Sequence, residues 1–270
     1  AYSKVTKTRS LYLLMKNLLI IGDSFCLHRG KKFPTSWITL LEKSTGCKVY
    51  GQGLDGRGWW QQKRWYENAI AQLPNPKETA VVWVHTSPHR LPCDNDAKVS
   101  IRVLDIEDHT DPKQHNPHGK LFNLAKEFYQ SPLYVEEFYT WAIVAWWKQL
   151  AIDLLPYKKV VHLFGFYEYG VTDADRLNLL TTNSVVVNKP PLLSLCIADS
   201  DIHARKDTRI NHFSDHNNTQ LANFIKETLE NTPLNTQTEI INLDQWKFEG
   251  PVIIPKFESS IFTELKGIAQ

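Results

Sequence analysis

The sequence has few cysteines and no clustered pattern of them. Its 270 residues include four cysteines, which lie far apart and form no Cys-x-x-Cys pair. They are Cys26, Cys47, Cys93 and Cys196. This spacing excludes a zinc ribbon and a dense disulfide framework, and it favours a reducing compartment. Because the basic and apolar start of the chain is interrupted and shows no cleavage pattern for a signal peptide, we predict a cytoplasmic protein.

A long apolar run and a strong net charge are also missing. A membrane-spanning helix needs roughly 18 to 20 consecutive apolar residues, and the most apolar run, 141–147, is far shorter. Lys and Arg number 31 against 29 Asp and Glu, which leaves a net charge of +2. This balance does not provide the broad basic surface that binds a phosphate backbone. We therefore expect neither a membrane nor a nucleic acid as a partner.

The sequence offers no pattern for a cofactor. It has no Gly-x-x-x-x-Gly-Lys phosphate loop, and its glycine-rich segment GQGLDG follows the second predicted strand rather than the first. Three histidines and three aspartates crowd between 105 and 118, but their spacing matches no common metal site. We predict that the protein binds no metal and no cofactor.

The chain divides into a central domain with two flanking segments. Met15 is the only methionine and stands directly before an apolar strand, so we interpret 1–14 as an upstream appendage. Residues 15–231 carry the regular alternation of a single domain, and 232–270 is interpreted as a C-terminal extension. Within the domain, the polar and proline-containing segment 93–132 is expected to be an insertion, or a lid over the neighbouring sheet edge.

Short β-branched runs alternate with longer helical patterns along the central domain. This alternation is typical of a parallel sheet with helices on both faces. Strands are predicted at 17–21, 48–50, 80–85, 159–164 and 184–187. We expect a three-layer α/β/α fold with a mostly parallel, flavodoxin-like sheet.

Helices are predicted at 36–43 and 59–73, at 133–155, and after Ser214, a candidate N-cap. The third of these carries apolar and aromatic residues at helical spacing. They are Val135, Phe138, Tyr139, Ala142, Ile143, Trp146 and Leu150. We favour a core-facing stripe over a binding groove for this set.

The segment IIGDSF follows the first predicted strand, at the edge where parallel sheets bind ligands. Gly22 permits a tight turn, Asp23 can accept backbone N–H donors, and Ser24 stands where the next helical turn begins. Asp23 and Ser24 could merely cap that turn. A catalytic serine also needs a general base within hydrogen-bond reach. His212, on the turn that enters the last helix, is the candidate base.

A Gly-Asp-Ser after the first strand and a histidine before the last helix resemble the SGNH, or GDSL-like, hydrolase family. The resemblance covers about 15–231. It implies that Ser24 is the nucleophile and His212 the base. It also implies an oxyanion donor after the second strand, for which Gly56 fits best, because a glycine N–H can approach a developing oxyanion closely.

The sequence departs from the family pattern at two places. After the third strand it has HTSPHR where the family has an asparagine, so Thr86 or Ser87 is expected to donate a hydroxyl instead. Three residues before the histidine it has Arg209 where the family has aspartate. Asp207 is the nearest acid, and the alternative is a Ser-His dyad with a backbone carbonyl that orients the ring. Arg90, in the same segment, could pair with an acidic group of the substrate or with Asp94, and we favour Asp94.

The resemblance implies a hydrolase of carboxylic esters. The expected substrate is a small-molecule or glycan ester with a small acyl group, such as an acetyl group on a carbohydrate. The alternative is a non-catalytic module with the same fold that binds a glycan or another protein, because the family's asparagine and its well-placed aspartate are both missing.

Overall fold

The computed structural model describes residues 15–92, 100–101, 119–166, 171–199 and 209–250. Its strands are β1 (Asn17–Gly22), β2 (Lys48–Gly53), β3 (Thr79–His85), β4 (Leu91–Pro92), β5 (Ser100–Ile101), β6 (Lys159–Phe164), β7 (Ser184–Val187) and β8 (Thr236–Thr238). Its α-helices are α1 (Trp37–Thr45), α2 (Trp59–Ile70), α3 (Gly119–Gln130), α4 (Glu136–Asp153), α5 (Asp173–Arg176), α6 (Leu192–Asp199) and α7 (Asp215–Asn231). Short 3-10 turns join several of them, including Ser24–Cys26 and Ile210–His212.

Six of the strands form one parallel sheet in the order β2-β1-β3-β6-β7-β8. The expected flavodoxin-like α/β/α fold is thereby confirmed, and all five predicted strands are present. After β2 the chain returns past β1 to place β3 on the other side of it, so the order reverses between β1 and β3. Ligands of open parallel sheets bind at such a reversal, beyond the carboxyl ends of the strands.

The central strands are buried on both faces. All six residues of β1 and all seven of β3 are buried. Because side chains alternate along a strand, Leu18 and Ile20 pack on one face of the sheet and Leu19 and Ile21 on the other. The first face is covered by α1, α6 and α7, and the second by α2 and α4. A central layer covered on both sides explains why these strands are continuous apolar runs.

Helix ends follow the chemistry of their capping residues. The Ser36 side chain accepts a hydrogen bond from Ile38 N at the start of α1, and Gly46 ends that helix with a left-handed φ of 69°. Ser214 accepts from Asn217 N at the start of α7, as predicted. Ser36 and Ser214 thus mark the points at which α1 and α7 begin.

The predicted apolar stripe of α4 is core along only part of its length. Ile143, Trp146 and Leu150 are buried against the sheet, as expected, whereas Val135 and Phe138 are exposed. The buried positions of α4 all lie at Ile143 and beyond. Helical spacing of apolar residues therefore identified the helix, but it did not show that its first two turns lie beyond the packed layers.

Six of the described elements were not predicted: the helices α3, α5 and α6 and the strands β4, β5 and β8. Helix α3 falls in the segment expected to be an insertion. Helix α6 is apolar all around and almost wholly buried, so it has no amphipathic period. Strand β8 lies in the segment described as an extension, and it pairs with β7 through three residues.

Several sequence predictions fall on residues outside the described part of the chain. These include 1–14, most of 93–118, and 251–270 of the C-terminal segment. The crowded histidines and aspartates between 105 and 118 belong to this group. Among the described helices, none combines the length and the apolar character that crossing a bilayer requires.

Two histidines form a buried pair in the sheet. The indole Nε1–H of Trp147 donates to His85 Nδ1 at 3.1 Å, and His85 Nε2 lies 3.0 Å from His162 Nδ1. Because an indole N–H can only donate, His85 Nδ1 accepts and the ring proton of His85 is on Nε2, which donates to His162. Burial lowers the pKa of His162 to about 3, and burial followed by His162 and Arg176 lowers the pKa of His85 well below its ordinary value.

This pair predicts a loss of stability in mild acid. Both rings stay neutral in the fold but take up protons in the unfolded chain below about pH 6.5, so the free energy of unfolding falls as the pH drops from that value toward 3. Each imidazole contributes a slope of up to about 1.4 kcal/mol per pH unit. Urea unfolding between pH 7 and pH 5 measures it.

The matched control is His162→Asn, whose Oδ1 can accept the His85 proton but does not titrate. We expect a shallower dependence of the unfolding free energy on pH in this variant. Identical slopes for the two proteins would contradict the assignment of neutral rings in the fold.

Candidate active site

Ser24 lies in a 3-10 turn directly after β1, at the reversal of strand order. Asp23 caps this turn, because its Oδ1 accepts a hydrogen bond of 3.1 Å from Phe25 N. The Phe25 carbonyl in turn accepts one of 2.7 Å from the indole of Trp37 in α1. Ser24 is buried, with 9% of its surface exposed. We call Ser24–Cys26 the serine turn. It holds a serine at the ligand-binding edge of the sheet.

A close backbone approach shapes this turn. Gly53, the last residue of β2, lies so near that a Cβ there would overlap the Asp23 carbonyl oxygen and the backbone of Cys26. Gly165, just after β6, is also close to its neighbours, because a Cβ there would lie 3.1 Å from the His85 carbonyl oxygen and 3.5 Å from Asp23 Oδ2. These glycines let β2 and β6 approach the serine turn without a side chain between them.

His212 lies on the 3-10 turn Ile210–His212, which we call the histidine turn and which packs against the serine turn. Its ring is edge-on to the ring of Phe25, with centroids 5.2 Å apart and an interplanar angle of 67°. Because Phe25 follows Ser24 directly in the chain, this contact brings the two turns together. The roles of Ser24 as nucleophile and His212 as base stay predictions. Asn211 and His212 both have a positive φ, of 53° and 67°.

Asp23 is the charged group at the centre of the site. Burial raises the pKa of its carboxyl above the ordinary value, and the Arg90 guanidinium opposes this most strongly. The Phe25 N–H, the Thr86 hydroxyl and the charge of His212 also lower the pKa of Asp23. These four influences come from the turn after β1, the segment after β3 and the turn before α7.

The buried polar atoms of this region include two oxygens without a well-formed hydrogen bond. They are Asp23 Oδ2 and Thr86 Oγ1. The Thr86 hydroxyl is near enough to lower the Asp23 pKa, but the two atoms do not reach ordinary hydrogen-bond geometry. Thr86 thus lies in the buried wall beside Asp23. Ser87 is less buried, and its Oγ accepts a hydrogen bond of 3.3 Å from His89 N.

Arg90 lies beside Gly56, the candidate oxyanion donor. Gly56 adopts a left-handed φ of 65°, and a Cβ there would lie 3.8 Å from a terminal nitrogen of Arg90. The Arg90 guanidinium also lies over the Phe166 ring, with its carbon 5.1 Å from the ring centroid. The sequence predicted Asp94 as its partner, and Asp94 lies outside the described residues. What the structure adds is the proximity of Arg90 to Asp23 and Gly56, which no local spacing indicates.

Asp207, the nearest candidate for the orienting acid, lies outside the described residues. Asp199, the buried acid that adjoins the histidine turn, has a different task. Its carboxylate accepts from Arg209, at 3.1 Å, and from Ser214 and Asn217. With its oxygens engaged in this way, Asp199 anchors the turn at both ends.

The remaining reactive side chains near the site are accounted for by their contacts. Cys26 is buried, and burial together with Asp23 raises the pKa of its thiol well above the ordinary value, so it is not a thiolate nucleophile. His89 Nδ1 lies 2.8 Å from the Tyr134 hydroxyl. Among the described residues, no group of three or more histidine, cysteine or acidic side chains is arranged to hold a metal ion.

Comparison of the chain with protein-family models, with curated proteins and with solved structures found no match. The fold defines an α/β protein with a flavodoxin-like sheet and a polar cluster at its switch point. Membership of the SGNH hydrolases stays a prediction that depends on the Gly-Asp-Ser segment and on His212.

The close approach at Gly53 predicts a specific sensitivity. Gly53→Ala forces a methyl group into backbone atoms of the serine turn, so we expect a loss of about 1–3 kcal/mol in the free energy of unfolding. Chemical denaturation measures this loss. Gly250→Ala is the control, because no atom of the described residues, its chain neighbours aside, lies within 4 Å of its Cβ position. Equal stability of the two variants would show that the turn does not depend on this contact.

Proposed function

We propose that the protein is a serine hydrolase that acts on carboxylic esters. The observation that carries the proposal is the packing of the His212 ring on Phe25, which places an imidazole beside the turn that bears Ser24. The location of both turns at the reversal of strand order supports it, because this is the ligand-binding edge of such sheets.

In the proposed reaction, Ser24 Oγ attacks the carbonyl carbon of the ester while His212 accepts the hydroxyl proton. The backbone N–H groups of Ser24 and Gly56 donate to the oxyanion of the tetrahedral intermediate. The intermediate collapses as His212 returns the proton to the leaving alcohol, and an acyl-Ser24 ester remains. Water then attacks the acyl carbon while His212 accepts its proton, and His212 returns that proton to Ser24 Oγ as the acid is released.

Arg90 adds a positive charge to this edge of the site. Its position beside Gly56 supports a role in stabilising the negative charge that develops on the substrate oxygen. The Asp23 carboxyl, which the same guanidinium influences, limits the net positive charge there. Within the proposal, Arg90 compensates for the amide that the family supplies after the third strand.

A small acyl group suits the proposed site. Ser24 is almost buried, and the rings of Phe25 and Phe166 pack edge to face at 5.7 Å beside it. The burial of Ser24 next to packed aromatic rings favours an acetyl group over a long chain. We propose an acetyl ester of a carbohydrate as the substrate, with the carbohydrate taken from the resemblance to the family.

We also infer a cytoplasmic location. The three cysteines in the described residues, Cys26, Cys47 and Cys196, are all buried free thiols. Free thiols persist in reducing compartments.

The proposal predicts that Ser24→Ala abolishes ester turnover. With p-nitrophenyl acetate as the substrate, we expect kcat/KM to fall by at least about 1,000-fold, because the acyl-enzyme cannot form. His212→Asn should cause a similar loss, and Ser44→Ala, a serine on α1, should cause none. Circular dichroism checks that each variant is folded. Turnover by Ser24→Ala at the rate of the unchanged protein would reject the catalytic assignment.

A non-catalytic glycan-binding module is the second candidate, and the exposed rings at the start of α4 favour it. Phe138 and Trp141 are 58% and 67% exposed, and their rings lie 6.3 Å apart at an angle of 33°. Exposed aromatic faces with this spacing can stack on sugar rings.

This candidate predicts retardation of the protein in gels that contain acetylated xylan. Trp141→Ala should migrate faster than the unchanged protein in such gels and equally fast in gels without the polysaccharide. Leu155→Ala removes an exposed aliphatic side chain just beyond the same helix and serves as the control. Equal migration of all three proteins would count against glycan binding at these rings.

A further inference from the structure

The side chain of Asn211 joins the histidine turn to the segment that follows the serine turn. Its Oδ1 accepts a hydrogen bond of 2.8 Å from His28 N. Its Nδ2 donates to His28 O at 3.2 Å and to Ser36 Oγ at 3.0 Å. Asn211 is buried, so these bonds are shielded from competing water. One amide thus uses its acceptor and its donors on a single stretch of chain between the 3-10 turn of Ser24 and helix α1.

The backbone at this position is unusual. Asn211 and His212 are consecutive residues with a left-handed φ, and neither is a glycine. Left-handed backbone is unfavourable for residues with a Cβ, and asparagine tolerates it better than most. Such conformations persist where the surroundings hold them, and they are concentrated at functional sites. The hydrogen bonds of the Asn211 side chain supply part of that support.

A second asparagine holds the other side of the same turn. Asn218 of α7 donates from Nδ2 to Ile210 O at 2.9 Å and to Phe213 O at 3.0 Å. Its Oδ1 accepts from Trp37 N at 3.0 Å. The carbonyls before and after His212 are thus fixed, so the remaining freedom of the turn lies at the two left-handed residues themselves.

We propose that Asn211 is a positioning residue that holds the His212 imidazole against Phe25 and beside Ser24. The role in ester hydrolysis rests on the proposed function, whereas the effect on the orientation of the imidazole does not. Asn211 does not touch the substrate in this proposal. It ties the backbone next to His212 to His28, and it thereby fixes the distance between base and nucleophile.

The main test variant is Asn211→Gly, which accepts the left-handed backbone but lacks all side-chain hydrogen bonds. Asn242→Gly is the matched control, because Asn242 also has a left-handed φ, of 57°, and precedes a different 3-10 turn, Leu243–Gln245. Asn211→Asp is a milder variant that keeps the oxygen acceptor for His28 N and loses the amide donors.

The first measurement does not need activity. The ring current of Phe25 shifts the NMR signals of the His212 imidazole protons, which are assigned by their loss in His212→Asn. We expect Asn211→Gly to move these signals toward random-coil values and Asn242→Gly to leave them unchanged. If both variants keep the shifted signals, the proposal is overturned. If Asn211→Gly does not fold, the same comparison is made with Asn211→Asp, in which we expect a partial shift.

The second measurement is the split between kcat and KM for p-nitrophenyl acetate. Misplacement of a base slows the chemical step more than it weakens binding. We expect kcat to fall by about 10- to 100-fold in Asn211→Gly, while KM stays within about twofold. In Asn211→Asp we expect an intermediate kcat, and in Asn242→Gly an unchanged one. A kcat that falls only in proportion to the folded fraction would overturn the catalytic part of the proposal.

The two proposals can fail separately. If the unchanged protein is no more active than Ser24→Ala, ester hydrolysis is rejected, while the NMR shifts still decide whether Asn211 positions the imidazole. If the protein is active and Asn211→Gly retains full kcat and shifted imidazole signals, the role of Asn211 is rejected and the hydrolase assignment is unaffected.

Discussion

Hydrogen bonds between His28 and Asn211, which are 183 residues apart in the chain, hold together the two turns on which the proposed chemistry depends. Contacts of such long range form at a high cost in chain entropy, which the parallel sheet and its two packed faces must offset. The switch point brings the serine turn and the histidine turn to the same edge, and the asparagine amide then fixes their separation. The fold supplies the proximity, and a few polar side chains supply the alignment.

The sheet was predictable because its central strands are buried on both faces. All seven residues of β3 are buried, and most of them are apolar. A surface helix would show polar residues every three or four positions, so this run indicates a buried strand. Helices with one buried face, such as α7, were predictable from their period and from the cap at Ser214. Helix α6 has no polar face, and β8 is three polar residues long, so neither carries a local signal.

The candidate site was predictable where its chemistry is local and, for His212, where the resemblance to a family supplied the residue. Gly22, Asp23 and Ser24 are consecutive, and their turn follows from the capping chemistry of Asp23. Arg90 and Asn211 could not be assigned in this way, because their significance lies in contacts with Gly56 and His28, which are distant in sequence. Thr86 illustrates the opposite case. The sequence placed it at the right strand end, but its burial beside Asp23 is a property of the packed site.

The strand at one end of the sheet has a consequence for association between copies of the chain. Within the described part of the chain, β8 closes that side of the sheet with only Thr236, Gln237 and Thr238, so the outer edge of the sheet is three residues long there. Short, polar outermost strands are poor templates for the addition of another strand, which is a common route to aggregation. By contrast, the strand it covers, β7, is a run of serine and three buried valines. The small polar strand thus shields an apolar one that would otherwise invite intermolecular pairing.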